Sequence, residues 1–132
     1  MKPSKLYIAG PIANIHNGNR EKFQEASLFV KNLGFETVVP FDIPPVEHPG
    51  ELCPIGPIAG EHTAPCYIKS DLIEMLKCDG VVFIPGWEYA SGAMLEFQVA
   101  KGCGMFVFKY HNDRRGIYLE GPINLNGTGI LV

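Results

Sequence analysis

The sequence lacks a long hydrophobic run, a strong net charge of either sign and a recognisable leader. No apolar stretch approaches the ~20 residues that span a membrane. Met-Lys-Pro-Ser at the start leads directly into a strand pattern, so we expect no signal peptide, no membrane partner and a cytoplasmic location. The formal net charge of −3 argues against a broad nucleic-acid surface, although it leaves room for one phosphate held by local donors.

The sequence contains four cysteines, at Cys53, Cys66, Cys78 and Cys103. Without a secretory signal, reduced thiols are the expected state. His62 joins Cys53 and Cys66 as a candidate metal cluster, but their spacing fits no standard zinc pattern and they lie in a loop rich in proline. We therefore expect no metal and no cofactor.

What the sequence does contain is an alternation of strand-like and helix-like segments in a chain that is 46% apolar and 19% charged. This pattern predicts one α/β domain over residues 1–132, with a mostly parallel sheet flanked by helices. The predicted strands are 5–9, 36–39, 81–84 and 105–108, and the predicted helices follow 17–19, cover 68–76 and begin at Ser91.

Two segments fall outside this alternation. Residues 41–66 hold six prolines, and a loop of this length is typically functional or mobile. We interpret it as a flap over the site, with a disordered surface insertion as the alternative. After a polar loop at residues 111–116, the tail 117–132 carries Asn124 and Asn126, which either reach a neighbouring subunit of a homo-oligomer or simply form turns.

Two carboxylates are the candidate catalytic groups. Asp71 is expected in the first turn of the second helix, and Glu96 early in the third. Ligands collect at the carboxyl ends of parallel strands, where the Glu96 helix begins, whereas local geometry does not guarantee that Asp71 approaches it. Two acids flanking a sugar are the usual equipment for cleaving a glycosidic bond. The alternatives are a surface position for Glu96 and stabilisation of the helix dipole by Asp71.

The loops at the same sheet edge supply candidate binding residues. Right-handed crossovers place Gly10-Pro11, Arg20 and the Pro85–Ser91 turn along one edge. Ser91 is a candidate helix N-cap, and Gly10 lets backbone approach a ligand or forms an ordinary turn. Trp87 and its neighbour Tyr89 stack on a base, wall the pocket or pack on a partner subunit.

Three blocks of sequence then point to a known family. KLYIAGP at the start, SDLIEMLKCDGVVFIPGW in the middle and SGAMLEFQVA after it resemble the nucleoside 2-deoxyribosyltransferase superfamily, including its nucleotide N-hydrolase branch and a small, often phage-borne subfamily. The ending LEGPINLNGTGILV is loosely similar to the family's C-terminal segment. The resemblance implies a flavodoxin-like or Rossmann-like domain, a small nucleoside or nucleotide substrate, a homo-oligomer and no nucleic-acid polymer as partner.

The resemblance also implies roles for individual residues. Glu96 matches the nucleophile, Asp71 the aspartate that handles the proton of the base, and Tyr7 the aromatic residue that orients the nucleophile. Asp79 matches a position to which we assign a structural role as a turn or cap. The remaining matches are to binding positions: Gly10 and Pro11 in the first ligand-facing loop, and Asn124 or Asn126 as an asparagine donated across a subunit interface.

One departure from the family concerns the 5′ end of the sugar. Six residues before the nucleophile, transferases carry an aspartate and nucleotide hydrolases a serine, whereas this chain has Ala90, with Ser91 next. Ser91, the amides near Gly92 and Arg20 are then candidates to bind a 5′-phosphate, although Arg20 is equally compatible with a solvated position.

The function expected from these residues is cleavage of the N-glycosidic bond of a (deoxy)nucleoside or its 5′-monophosphate, with release of the free base. The alternatives are transfer of 2-deoxyribose between bases, a non-catalytic nucleotide-binding module and a structural oligomer with a decayed site. The Ala90 departure keeps the binding module open.

Overall fold

The computed structural model describes residues 4–13, 15–43 and 64–123. The apolar runs and helical stripes of the sequence form five strands and three helices there. Short 3-10 turns precede α1, follow β2 and precede α3. In chain order the elements are β1 (Lys5–Ala9), α1 (Arg20–Asn32), β2 (Glu36–Val38), α2 (Ala64–Leu76), β3 (Gly80–Phe83), α3 (Ser91–Gly102), β4 (Phe106–Asp113) and β5 (Gly116–Ile123).

The strands form one sheet in the order β2-β1-β3-β4-β5. The first four strands are parallel, and β5 is antiparallel to β4. The predicted α/β fold with a mostly parallel, flavodoxin-like sheet is therefore confirmed. Because the strand order reverses direction at β1, the crevice between β1 and β3 is the switch point where ligands bind in such sheets.

The core has two layers because side chains of a strand alternate between the faces of the sheet. Tyr7 and Val81 pack on the face covered by α2 and α3, with Met75 and Ala93. Leu6, Ile8, Val82 and Ile84 pack on the opposite face, against α1 residues such as Phe23. This register turns the Tyr7 side chain toward α3, which carries Glu96.

The C-terminal part of the domain corrects the prediction of a polar loop at residues 111–116. β4 continues to Asp113 and β5 begins at Gly116, so only residues 114 and 115 lie between the two strands. Residues 117–123 of the predicted tail belong to β5, which pairs with β4. The polar side chains there satisfy one another, since His111 stacks on Tyr118 with centroids 4.7 Å apart and approaches Glu120 at 2.8 Å.

Two further predictions concern the ends of α2. The helix begins at Ala64, about two turns before Asp71, so Asp71 lies in the helix interior and not in a first turn. The structural role of Asp79, after α2, is confirmed. Its carboxylate accepts hydrogen bonds from the backbone amides of Ser4 and Lys5 at 2.9 and 3.0 Å and thereby ties the start of β1 to the α2–β3 turn.

Within the described residues, no helix combines the length and apolar character required to cross a membrane.

Candidate active site

A cavity of about 950 Å³ opens at the switch point between β1 and β3. Gly10 and Pro11 line it after β1, and Gly86 lines it after β3. These loops touch: a Cβ on Gly10 would collide with the side chain of Ile84, and one on Gly86, whose φ is +92°, would lie 3.2 Å from Pro11. Glycine at both positions lets the two loops close around one space.

Glu96 lies in the second turn of α3 and lines this cavity. Its side chain is buried, with 7% exposure, so the surface interpretation is wrong. The Tyr7 hydroxyl donates a hydrogen bond of 2.5 Å to Glu96 Oε2. Because Tyr7 is fully buried in the central strand β1, it fixes the carboxyl group in one orientation.

Asp71 lines the same cavity from α2. It is half-buried, and its charge is close enough to raise the pKa of Glu96. Asp71 and Glu96, on two different helices, are therefore brought to one space. Their convergence is a tertiary effect, since β3 and the following loop separate the two helices in the chain.

Burial dominates the protonation of both acids. It raises the pKa of Asp71 to about 7. Burial also raises the pKa of Glu96 to about 8, with the Tyr7 hydrogen bond opposing the rise and the Asp71 charge adding to it. Near neutral pH the two acids therefore titrate as a coupled pair that retains a proton. Burial is the largest influence on the pKa of Glu96 and outweighs any stabilisation of its anion by the N-terminus of α3.

The start of α3 differs from the predicted capping. Ala90 occupies the N-cap position and makes no side-chain cap hydrogen bond. Ser91 is the first helical residue, so its hydroxyl does not serve as the cap. Ser91 and Gly92 both line the cavity, and a Cβ on Gly92 would meet no atom within 4 Å. The first turn of α3 thus presents small side chains to the cavity.

Arg20, the first residue of α1, also lines the cavity. Its guanidinium carbon lies 4.3 Å from the ring centroid of Phe41. Arg20 is the single cationic side chain among the described residues that line the cavity. The predicted edge of Gly10-Pro11, Arg20 and Ser91 is therefore assembled around one space.

Trp87 is placed elsewhere and corrects the prediction that it contacts a ligand. It is absent from the residues that line the cavity and is only 8% exposed. Its ring stacks on Phe97 with centroids 4.9 Å apart and packs against Phe83 at 4.8 Å, so it belongs to the core. The neighbouring Tyr89 does line the cavity and is 94% exposed.

The apolar walls of the cavity were missed by sequence reasoning. They come from the loop after β1, the turn after β2 and the start of α2. For Phe41 and Ile43 the one available signal was their position at the start of the proline-rich segment. That segment follows the carboxyl end of β2, and ligands bind at the carboxyl ends of parallel strands. These wall residues are Ile12, Ile15, Phe41, Ile43, Tyr67 and Ile68.

Several predictions fall outside the described residues. Asn124, Asn126, Cys53 and His62 are among them, so the subunit contact and the metal question stay predictions. Of the predicted flap, the structure describes only the two ends: Pro40–Asp42 forms a 3-10 turn, and residues 64–66 belong to α2.

Comparison with known families gives one match. Residues 4–109 match a family model described as a domain of unknown function, DUF4406. The match extends from β1 into β4 and includes Tyr7, Asp71 and Glu96. No curated protein matches the sequence.

Proposed function

The chain belongs to the DUF4406 family, and from that premise we propose that it cleaves the N-glycosidic bond of a (deoxy)nucleoside or its 5′-monophosphate and releases the free base. Kinship with the nucleoside 2-deoxyribosyltransferase superfamily is part of this proposal. It rests on the sequence blocks around Tyr7, Asp71 and Glu96.

The observation that carries the proposal is the pairing of two acids in one cavity. Glu96 is buried, and the Tyr7 hydroxyl orients it through a hydrogen bond of 2.5 Å. Asp71 is near enough that its charge raises the pKa of Glu96. Carboxyl groups with raised pKa values that converge in a cleft are typical of catalytic sites. One ionised and one protonated acid are what a retaining glycosidase uses.

In the first step, the Glu96 carboxylate attacks the anomeric carbon of the sugar. The bond between that carbon and the base nitrogen breaks, its electron pair stays on the nitrogen, and Asp71 donates a proton so that the base leaves neutral. An ester between Glu96 and the sugar remains. In the second step, water attacks the anomeric carbon, Asp71 accepts a proton from the water, and Glu96 leaves as a carboxylate.

The protonation of the pair suits these roles when it holds a single proton. Attack requires the tautomer in which Glu96 is the anion and Asp71 carries the proton. The Tyr7 hydroxyl donates to Glu96 and so stabilises that tautomer, because a hydrogen bond to a charged acceptor is stronger than one to a neutral acid. Burial raises the pKa of Asp71 to about 7 and that of Glu96 to about 8, so the resting pair holds its proton mainly on Glu96, and attack proceeds from the tautomer in which that proton has moved to Asp71.

The proposal is tested by incubating the protein with nucleosides and 5′-monophosphates, both ribo and deoxy, and measuring free base by chromatography. Glu96→Gln keeps the side-chain shape and an acceptor for Tyr7 but cannot attack. We expect it to lower base release at least ~10³-fold. Glu36→Gln, at the exposed amino end of β2, is the control and should retain wild-type activity. Base release that persists in Glu96→Gln removes Glu96 from the chemistry.

Base exchange is the second candidate, because the ester between Glu96 and the sugar is open to attack by a second base as well as by water. Adding a second free base to the same assay separates the reactions. Exchange yields a new nucleoside, hydrolysis yields only the sugar and the first base, and a binding module leaves the substrate intact.

A further inference from the structure

Arg20 lies at the cavity but has no role in the proposed cleavage of the glycosidic bond. Its side chain is exposed at the cavity, and across the residues that the structure describes no ion pair involves it. Asp71 and Glu96 are the acidic side chains of the described lining. A solvated arginine samples many rotamers unless a neighbour holds its guanidinium plane.

Phe41 is that neighbour. Its ring lies 4.3 Å from the Arg20 guanidinium carbon, within the range of a cation–π contact. The ring is itself held by the core, since it meets the ring of Phe23 edge-on, with centroids 5.2 Å apart and an interplanar angle of 88°. Phe23 is fully buried in α1, so Phe41 is anchored on the helix that begins with Arg20.

The turn before α1 closes on the same ring. Gly18 has φ +62°, and a Cβ there would lie 3.2 Å from Phe41 and 3.5 Å from Ile12, so glycine satisfies both the left-handed backbone and the close approach. The Asn19 side-chain amide donates a hydrogen bond of 3.1 Å to the Pro11 carbonyl. The first residue of α1 is therefore fixed relative to both Phe41 and the loop after β1.

We infer that Phe41 is a positioning residue that holds the Arg20 guanidinium at the cavity, where it binds an anionic group of the substrate. This inference rests on the proposed function and deepens it: the substrate class it names is a nucleoside carrying a phosphate. A planar guanidinium binds phosphate oxygens in pairs, and holding its plane beforehand lowers the entropy lost on binding.

The experiment measures binding separately from catalysis, in the Glu96→Gln background, by calorimetry. The probes are the four common deoxynucleoside 5′-monophosphates and the matching nucleosides. Phe41→Leu should weaken monophosphate binding about three- to fivefold, the size of an exposed cation–π contact, and leave nucleoside binding within about twofold. Phe41→Tyr, which keeps the ring, should bind monophosphates as tightly as the protein with Phe41.

Two further variants guard against a trivial loss of folding. Arg20→Lys keeps the charge but removes the planar group that stacks on Phe41. Because Arg20 is exposed, this variant should fold normally and show the same selective loss of monophosphate binding. Phe35→Leu also removes a half-buried ring, which packs at 6.4 Å on Phe108 away from the cavity, and should change neither affinity.

The inference is overturned if Phe41→Leu weakens both ligands equally, if it weakens neither, or if no monophosphate binds. The experiment distinguishes failure of this inference from failure of the proposed reaction. Selective loss of monophosphate binding in a protein whose wild type releases no base would support the positioning role and reject the glycosidase.

Discussion

Within the described part of the chain, a tyrosine donates a hydrogen bond to a glutamate at two places, and the pKa values of the two glutamates shift in opposite directions. At the cavity, Tyr7 donates to Glu96 at 2.5 Å, and burial raises the pKa of Glu96 to about 8. Beside the hairpin, Tyr110 donates to Glu25 at 2.7 Å. There the donors, Tyr110 and then Asn112, hold the pKa of Glu25 below its usual range.

The difference between the two pairs lies in the solvent. Glu96 is 7% exposed, whereas Glu25 is partly exposed on α1 and also accepts a hydrogen bond from Asn112 at 2.7 Å. At Glu96, one hydrogen-bond donor does not offset the cost of removing the carboxylate from water. At Glu25, two donors and the remaining contact with solvent stabilise the carboxylate. The same side-chain pair therefore serves structure at Glu25 and, in our proposal, chemistry at Glu96.

Removing each tyrosine hydroxyl should break the comparison most clearly. Tyr7→Phe leaves Glu96 without its donor, so we expect kcat for base release to fall roughly 10- to 100-fold, the range for a lost hydrogen bond to a charged group. Tyr110→Phe should leave kcat within about twofold and cost about 1 kcal/mol of stability. Steady-state kinetics and thermal melts of both variants provide the measurement. Equal kinetic effects of the two substitutions would contradict a special role for Tyr7.

Stability as a function of pH should separate the glutamates by sign. The folded state raises the pKa of Glu96 from 4.5 to about 8, so it binds more protons than the unfolded chain in that window. Stability is therefore lost as the pH rises from about 4.5 to 8. Glu96→Gln removes this loss, so at pH 9 its free energy of unfolding should exceed that of the wild type by on the order of a few kcal/mol. Near pH 4 the two proteins should be equally stable.

Glu25 should behave in the opposite way. Its pKa is lowered in the folded state, so the stability it contributes is present above the unfolded pKa and is lost as the pH falls through the folded value. Glu25→Gln should destabilise the protein at pH 7 by less than about 1 kcal/mol, because solvent screens this pair. Denaturant melts between pH 3 and 9 test both signs. A stabilising Glu25→Gln or a destabilising Glu96→Gln at pH 9 would refute the account of the two pairs.

The same contrast shows what the sequence was able to predict. The strands β1 and β3 were predictable because the central strands of a parallel sheet are apolar on both faces. The β4–β5 hairpin was not, because it mixes polar pairs such as His111 with Tyr118 and core residues such as Tyr110 and Leu119, and so shows no continuous apolar run. The early start of α2 was hidden by the proline-rich segment, although Ala64-Pro65 is compatible with a helix start, where proline is tolerated.

At the site, residue types were more predictable than their surroundings. Tyr7, Asp71 and Glu96 were identified from their sequence blocks, but the burial that sets the protonation of the two acids depends on how α2 and α3 pack. For Trp87 the sequence left open stacking on a base, lining the pocket or packing on a partner subunit. The structure places its ring in the core against Phe83 and Phe97, and the sequence does not specify the turn at Gly86, with φ +92°, that directs it there.

The most direct test of the central claim is to trap the sugar on the enzyme. Intact-mass and peptide mass spectrometry after mixing with a 2-fluoro-2-deoxynucleoside, whose fluorine slows breakdown of the glycosyl ester, reports where the covalent bond forms. We predict an adduct of the sugar mass on the peptide containing Glu96, present in Glu25→Gln and absent in Glu96→Gln. Base release without any adduct, or with an adduct on another residue, would contradict the claim that Glu96 is the nucleophile.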